Sequence, residues 1–361
     1  MSKFAKALLA GAAALGLSAG LARADSLNVV SWGGAYSKAQ SEAFVKPWMA
    51  KTGNAIVSVD YNGGLAEVKS QVESGNVTWD VVDVETSEGI SGCNDGLFEK
   101  IDPSKLPKGA DGVDEKDDFI PGSVVDCAIG TIAYANVFGY DSTKFPGDKP
   151  TKVADFFDLN KFPGKRGLKK EAKVNLEMAL MADGVPAADV YKVLSTKEGV
   201  DRAFKKLDSL KGSVVWWEAG AQPPQLLASG EVVMTTAYNG RLFTPAVLEH
   251  KPFVIVWDGQ QQVFDMWAIL KGSKKKDLAM NFIAFSTATK PLADMTKFIP
   301  YGPVRKSSAA LVGKYQDGKT DMAPNLPTNP ANMTNSLVQN VNFWAEHYDE
   351  LNERFINWIG K

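Results

Sequence analysis

Leu27-Asn28-Val29-Val30-Ser31 runs directly into Trp32-Gly33-Gly34-Ala35-Tyr36. A short β-branched, apolar run that ends on a glycine pair reads as a strand turning into a helix. Ser37 is the expected N-cap of that helix, which runs to about Lys51 with Ala39, Ala43, Phe44, Pro47 and Trp48 on one side. The unit then repeats. Residues 56–61 read as a second strand, 65–74 as a helix, and 79–84 (WDVVDV) as a third strand that ends at Glu85-Thr86-Ser87. Strands alternating with helices predict an α/β chain with a parallel sheet. Ligands of such sheets sit in the loops beyond the carboxyl ends of the strands. Those loops hold Trp32, Gly33, Gly34 and Tyr36 in one case and Glu85, Thr86 and Ser87 in the other.

The rest of the chain continues in this style. Residues 128–136 (AIGTIAYAN) form a long β-like run, and 214–217, 231–237, 253–258 and 263–271 read as further strands. Helices are expected at 171–181, 187–194, 201–210, 222–229, 277–287 and 292–298, and residues 335–361 read as a terminal amphipathic helix. The length suits two domains, yet no Pro/Ser/Gly-rich linker separates them. Two lobes joined by β-strand crossings account for that, with 128–136 and 266–270 as the crossings. The expected division is 25–133 with 268–305 for one lobe and 134–267 with 306–361 for the other.

The N-terminus sets the compartment. Lys3 and Lys6 precede an uncharged Ala/Leu/Gly/Ser run over 7–22, and Ala22-Arg23-Ala24 offers small residues at a cleavage site. This is the three-part pattern of a secretory signal peptide over 1–24. A spanning helix needs about 20 strongly apolar residues, which this run lacks. The leader carries three bases and no acids, so cleavage takes the formal net charge from −2 to −5. Nucleic-acid binders concentrate Lys and Arg, so nucleic acid is not an expected partner. Cys93 and Cys127 are the two cysteines. In an oxidising compartment an even pair reads as one disulfide, the alternative being two free buried thiols.

Reaction chemistry is hard to find. His250 and His347 are far apart, and no nucleophile elbow, phosphate loop, dinucleotide fingerprint or zinc-ligand spacing occurs. No cofactor or metal is expected. Glu85, Glu171 and Asp265 leave open a carboxylate-pair hydrolase. Recognition is better supplied. Aromatic residues at strand ends (Trp32, Tyr36, Trp216, Trp217, Tyr238 and Trp267) are interspersed with Glu85, Glu171, Glu218, Asp265 and Arg241. Aromatic faces and carboxylates together hold an ammonium.

Several stretches resemble the periplasmic substrate-binding proteins of ABC importers, in the spermidine/putrescine-binding branch. They are LNVVSWGGAY, WDVVDV, Gly92-Cys93-Asn94-Asp95-Gly96-Leu97-Phe98-Glu99, Asp126-Cys127-Ala128, Phe162-Pro163-Gly164-Lys165-Arg166-Gly167, Met178-Ala179-Leu180 and Tyr238-Asn239-Gly240-Arg241. Their order spans essentially the whole mature chain. The resemblance implies a two-lobe, type II-like fold with β-strand hinge crossovers, a ligand cleft, and permease and ATPase subunits as partners of a monomer. It places ligand contacts at Trp32 with Tyr36, at Glu85–Ser87, at Glu171 before the Met-Ala-Leu helix, at Tyr238-Asn239, at Asp265 and at Tyr301.

Two departures from the polyamine pattern bear on the ligand. A second acid of the family is replaced around Val174-Asn175, and Arg241 follows Asn239-Gly240. A polyamine or an ω-amino acid such as γ-aminobutyrate is the expected class, and the arginine favours the zwitterion. A binding subunit for a chemosensory receptor would share the same features.

Overall fold

The computed structural model describes residues 25–360 apart from Asn62 and Asp111. The leader and its expected cleavage site lie outside the described residues. Ten strands form one sheet: β1 Ser26–Ser31, β2 Ala55–Asp60, β3 Val81–Glu85, β4 Val124–Val125, β5 Ala128–Asp141, β6 Arg166–Lys169, β7 Val214–Trp217, β8 Met234–Tyr238, β9 Phe253–Ile269 and β10 Ser336–Val338. The order along the main path is β2-β1-β3-β9-β5-β8-β6-β7. Each end is a parallel triple, β2-β1-β3 and β8-β6-β7. Between them lies the antiparallel pair of β5 and β9.

That central pair joins two lobes. The carboxyl half of β9 pairs with β3, and β5 pairs with β8 beyond Asn136. The pairing of β5 with β9 shifts register twice, between Gly130 and Ile132 and between Asn136 and Phe138. Such bulges bend a strand and increase its twist. The chain is thus a mixed α/β, two-lobe architecture whose lobes are linked by β-strands.

Packing follows the same division. Leu27, Val29 and Val30 of β1 and Val81, Val82 and Val84 of β3 are buried. These near-continuous apolar runs suit parallel strands covered on both faces. Phe44, Trp48, Phe282 and Ile283 from flanking helices close this first core. A second core gathers Phe138, Phe156, Leu168, Leu180, Phe204, Trp344 and Phe355. Cys93, on the helix Thr86–Asn94, is bonded to Cys127 at the entry to β5, with 5.6 Å between Cα atoms and 34 positions between the residues. In the chain-entropy account a loop of that length is worth about 3–4 kcal/mol.

Three local expectations are corrected. The first helix begins at Gly34, so Ser37 is not its N-cap; the Ser37 hydroxyl instead accepts from the Gly33 N–H at 2.8 Å. Residues 253–258 and 263–271, read as two strands, fall on one strand of 17 residues, Phe253–Ile269, because Gly259 adopts a left-handed backbone without ending the ladder. The terminal segment starts with β10 before the helix Val341–Ile359, which Asn340 caps by accepting from the Phe343 N–H.

Candidate functional site

A cavity of about 410 Å³ opens where the ends of β1, β3 and β8 meet the middle of the central pair. Gly33 starts this wall. Its φ of 74° is readily adopted by glycine, and an added Cβ would lie 3.0 Å from the Asp60 carboxylate. That turn lets the chain pass from β1 into its helix while Trp32 and Tyr36 both line the cavity. Trp32 leans on Tyr61, with 5.0 Å between ring centroids.

Carboxylates crowd the first-lobe end. Glu85 on β3 and Asp265 on β9 are register partners on adjacent antiparallel strands, an arrangement that costs stability when both are charged. Asp83, two residues before Glu85, is fully buried and accepts from Ser31 Oγ at 3.0 Å and Gln40 Nε2 at 2.5 Å. Burial pushes the Asp265 carboxyl far up, and the charges of Asp83, Glu85 and Glu88 add to it. Asp83 is raised chiefly by burial, against the pull of its Gln40 and Ser31 donors. Glu88 is raised by burial and by Glu85. Among the described residues, neither Asp83 nor Asp265 has a lysine or arginine within ion-pair distance. The nearest cation to this end is the Lys173 ammonium, 3.9 Å from Glu85 Oε2.

Tyrosines enclose the acids. Tyr134 donates its hydroxyl to Glu85 Oε1 at 2.6 Å. Its ring lies 5.7 Å from Tyr238 and 6.1 Å from Tyr301, and Tyr301 lies 5.8 Å from Tyr36. Gly240 allows Tyr301 to approach, since a Cβ there would lie 2.7 Å from its ring. Burial pushes the Tyr301 hydroxyl up to about 12, with Arg241 pulling it down and Asp265 pushing it further up. Tyr301 thus stands between a positive and a negative pole. Arg241 lines the cavity from an exposed position. Arginine ion pairs fall on Arg202, Arg305 and Arg354, and Arg241 has none among the described residues.

Nine of the fifteen residues singled out in the sequence line the cavity: Trp32, Gly33, Gly34, Tyr36, Glu85, Tyr238, Arg241, Asp265 and Tyr301. The other six lie off it, each for a physical reason. Thr86 spends its hydroxyl on the Phe264 carbonyl, and Ser87 lies in the helix behind. Glu171 is held 2.8 Å from Lys169 Nζ on the second lobe. Trp217 is buried behind Tyr238, its N–H donated to Thr236 Oγ1. The Asn239 amide is consumed structurally, accepting from the Ala135 N–H at 3.0 Å and donating to the Pro300 carbonyl at 2.6 Å. Trp267, two residues beyond Asp265, sits about 7 Å deeper along the strand and packs on Phe282 in the first core.

Tyr134 is the main lining residue that the sequence reading missed, together with Phe243, Thr244, Phe298 and Tyr315. The available signal was a lone tyrosine within an Ala/Gly/Ile crossing strand. It is the single residue of β5 that is not fully buried.

A two-lobe α/β fold with an inter-lobe cavity of acids and aromatics defines the substrate-binding proteins of ABC transporters. The chain belongs to the bacterial extracellular solute-binding protein family, whose model matches residues 43–328. It is 45% identical over 344 residues to the gamma-aminobutyric acid-binding protein of Pseudomonas aeruginosa, covering 95% of this chain and 94% of that one. A solved substrate-binding protein of a Bradyrhizobium japonicum ABC transporter is 32% identical, with a TM-score of 0.81 over 93% of this chain and 99% of that one. A solved GABA receptor is 34% identical, with a TM-score of 0.78 over 93% and 98%.

Proposed function

We propose that this chain captures a small ω-amino acid of the γ-aminobutyrate type between its lobes and delivers it to an ABC permease and ATPase. The carrying observation is the cavity's two poles. Glu85 and Asp265 are paired across β3 and β9 and line the cavity with Trp32, Tyr36 and Tyr134, and Arg241 lines the same cavity with no ion pair among the described residues. The acids and aromatic faces suit an ammonium, and the guanidinium fork suits a carboxylate. The names of the relatives support this ligand class.

The proposal includes a monomer exported behind a leader cleaved after Ala24. Its lobes are 25–133 with 268–305 and 134–267 with 306–361, closing by flexure of β5 and β9. Titration calorimetry tests the ligand, using γ-aminobutyrate, butane-1,4-diamine and an α-amino acid. Preference for γ-aminobutyrate is the expected result. Tighter binding of the diamine by the unaltered protein would overturn it.

A further inference from the structure

The last residue of β6 and the loop from it to the helix Asn175–Ala182 carry three lysines, and they are not equivalent. Lys169 is paired with Glu171 at 2.8 Å, and Lys170 with Glu218 at 3.1 Å. Both of those acids belong to the same lobe as the lysines. Lys173 differs. Among the described residues its one ion-pair partner is Glu85 Oε2, 3.9 Å away on the opposite lobe. Its charge also favours the ionised forms of Glu88 and of Glu177.

The backbone holds Lys173 there against its own preference. Val174 has φ 76° and ψ −46°, a region that β-branched residues avoid. Such a conformation persists when the surroundings over-determine it, and here they do. The Val174 carbonyl accepts from Gln261 Nε2 at 2.8 Å, on the crossing strand. Asn175 Nδ2 donates to the carbonyls of Lys169 and Glu171, each at 2.7 Å, and the Ala172 N–H donates to Asn352 Oδ1 at 3.0 Å. The loop is thereby tied to the hinge and to the terminal helix, with Lys173 directed over the acids.

We propose that Lys173 is a specificity-determining residue, a tethered ammonium that occupies part of the acid cluster and so rejects ligands bearing two ammonium groups. The inference rests on the ω-amino acid reading and adds the element that excludes diamines. Without Lys173, the two carboxyl groups that line the cavity, Glu85 and Asp265, would both be open to a ligand's ammonium groups. With it, one ammonium is accommodated. A second would meet Lys173 over the acids or Arg241 at the other pole, and juxtaposed like charges are a strong deterrent to a wrong partner.

The test compares unaltered protein, Lys173→Gln and Lys173→Arg by titration calorimetry with γ-aminobutyrate and with butane-1,4-diamine. Lys173→Gln should tighten diamine binding about tenfold or more, and shift γ-aminobutyrate far less. Lys173→Arg keeps the charge and should match the unaltered protein. Diamine affinity that is the same in Lys173→Gln and unaltered protein, or no diamine binding by Lys173→Gln, overturns the proposal. The ω-amino acid reading is judged separately, by which ligand the unaltered protein prefers, and the Lys173 effect is judged by the change between proteins.

Discussion

Both lobes bury carboxylates, and the contrast between them separates structure from site. In the second lobe Glu177 is fully buried in the core, where it accepts from Trp344 Nε1 at 2.6 Å and Tyr191 OH at 3.0 Å. Those donors dock the helix Val341–Ile359 on the helix that carries Glu177. On the crossing strand β9, beside β3 of the first lobe, Asp265 also lies buried, yet it borders a cavity and its neighbours are other acids. A buried acid supplied with donors builds architecture. One left among like charges is poised for a cation to arrive.

The most severe way to break this contrast is Asp265→Asn. The change removes a carboxyl whose ionisation is opposed by burial and by the neighbouring acids in the ligand-free protein, so unfolding of the ligand-free variant should need more denaturant. Binding of γ-aminobutyrate should weaken by about 2–5 kcal/mol, the range for truncating one side of a buried charge pair. That is roughly 30-fold to several thousandfold in affinity. Calorimetry and chemical denaturation together check the two opposite signs. Loss of both stability and binding would make Asp265 a structural residue like Glu177.

Arg241→Ala is the milder counterpart. Its exposed position places it at the lower end of the same range, about 2 kcal/mol or roughly 30-fold. The loss should be confined to ligands that carry a carboxylate. Butylamine, which lacks one, should bind the variant and the unaltered protein alike in a thermal-shift titration.

The third effect sharpens the comparison through pH. Burial raises Glu177 to about 7, and raises Asp83 and Asp265 as well. Groups raised above their unfolded values bind more protons in the native state, so stability falls as pH rises from about 4 to about 7. Glu177→Gln should lessen that fall by about 1–2 kcal/mol between pH 5 and pH 8, with or without ligand. The part due to Asp265 should shrink when γ-aminobutyrate saturates the site. Denaturation curves at the two pH values, each with and without ligand, distinguish the lobes. A ligand that flattened the Glu177 contribution as well would erase the distinction.

Much of the first lobe is legible in the chain itself because its signals are local. A valine run ending at Trp32-Gly33-Gly34 declares a strand, a turn and an exposed side chain within a few residues. Glu85 and Arg241 are legible for the same reason, the one closing a strand and the other just beyond one. Other residues depend on partners far away in sequence. Asn239 looks like a ligand contact until Pro300 and Ala135 claim its amide. Asp83 looks like one more residue of an apolar strand until Gln40 and Ser31 converge on it. Tyr134 stays hidden because pleat direction in a crossing strand depends on the register with β9, and that register shifts on either side of it.

Those two shifts have a mechanical consequence. They flank the stretch of β5 from Ile132 to Asn136, so in the closure proposed above the bending falls at its ends and the short stretch between them serves as an axle. Points on an axle travel least when the arms swing. Tyr134 lies on it, and the Glu85 carboxylate it grips lies one hydrogen bond away. On that proposal an arriving ammonium meets a floor already in its final position, and the moving parts are the walls. Encounter and enclosure become separable events, the first governed by diffusion into a fixed seat and the second by the stiffness of two bent ribbons.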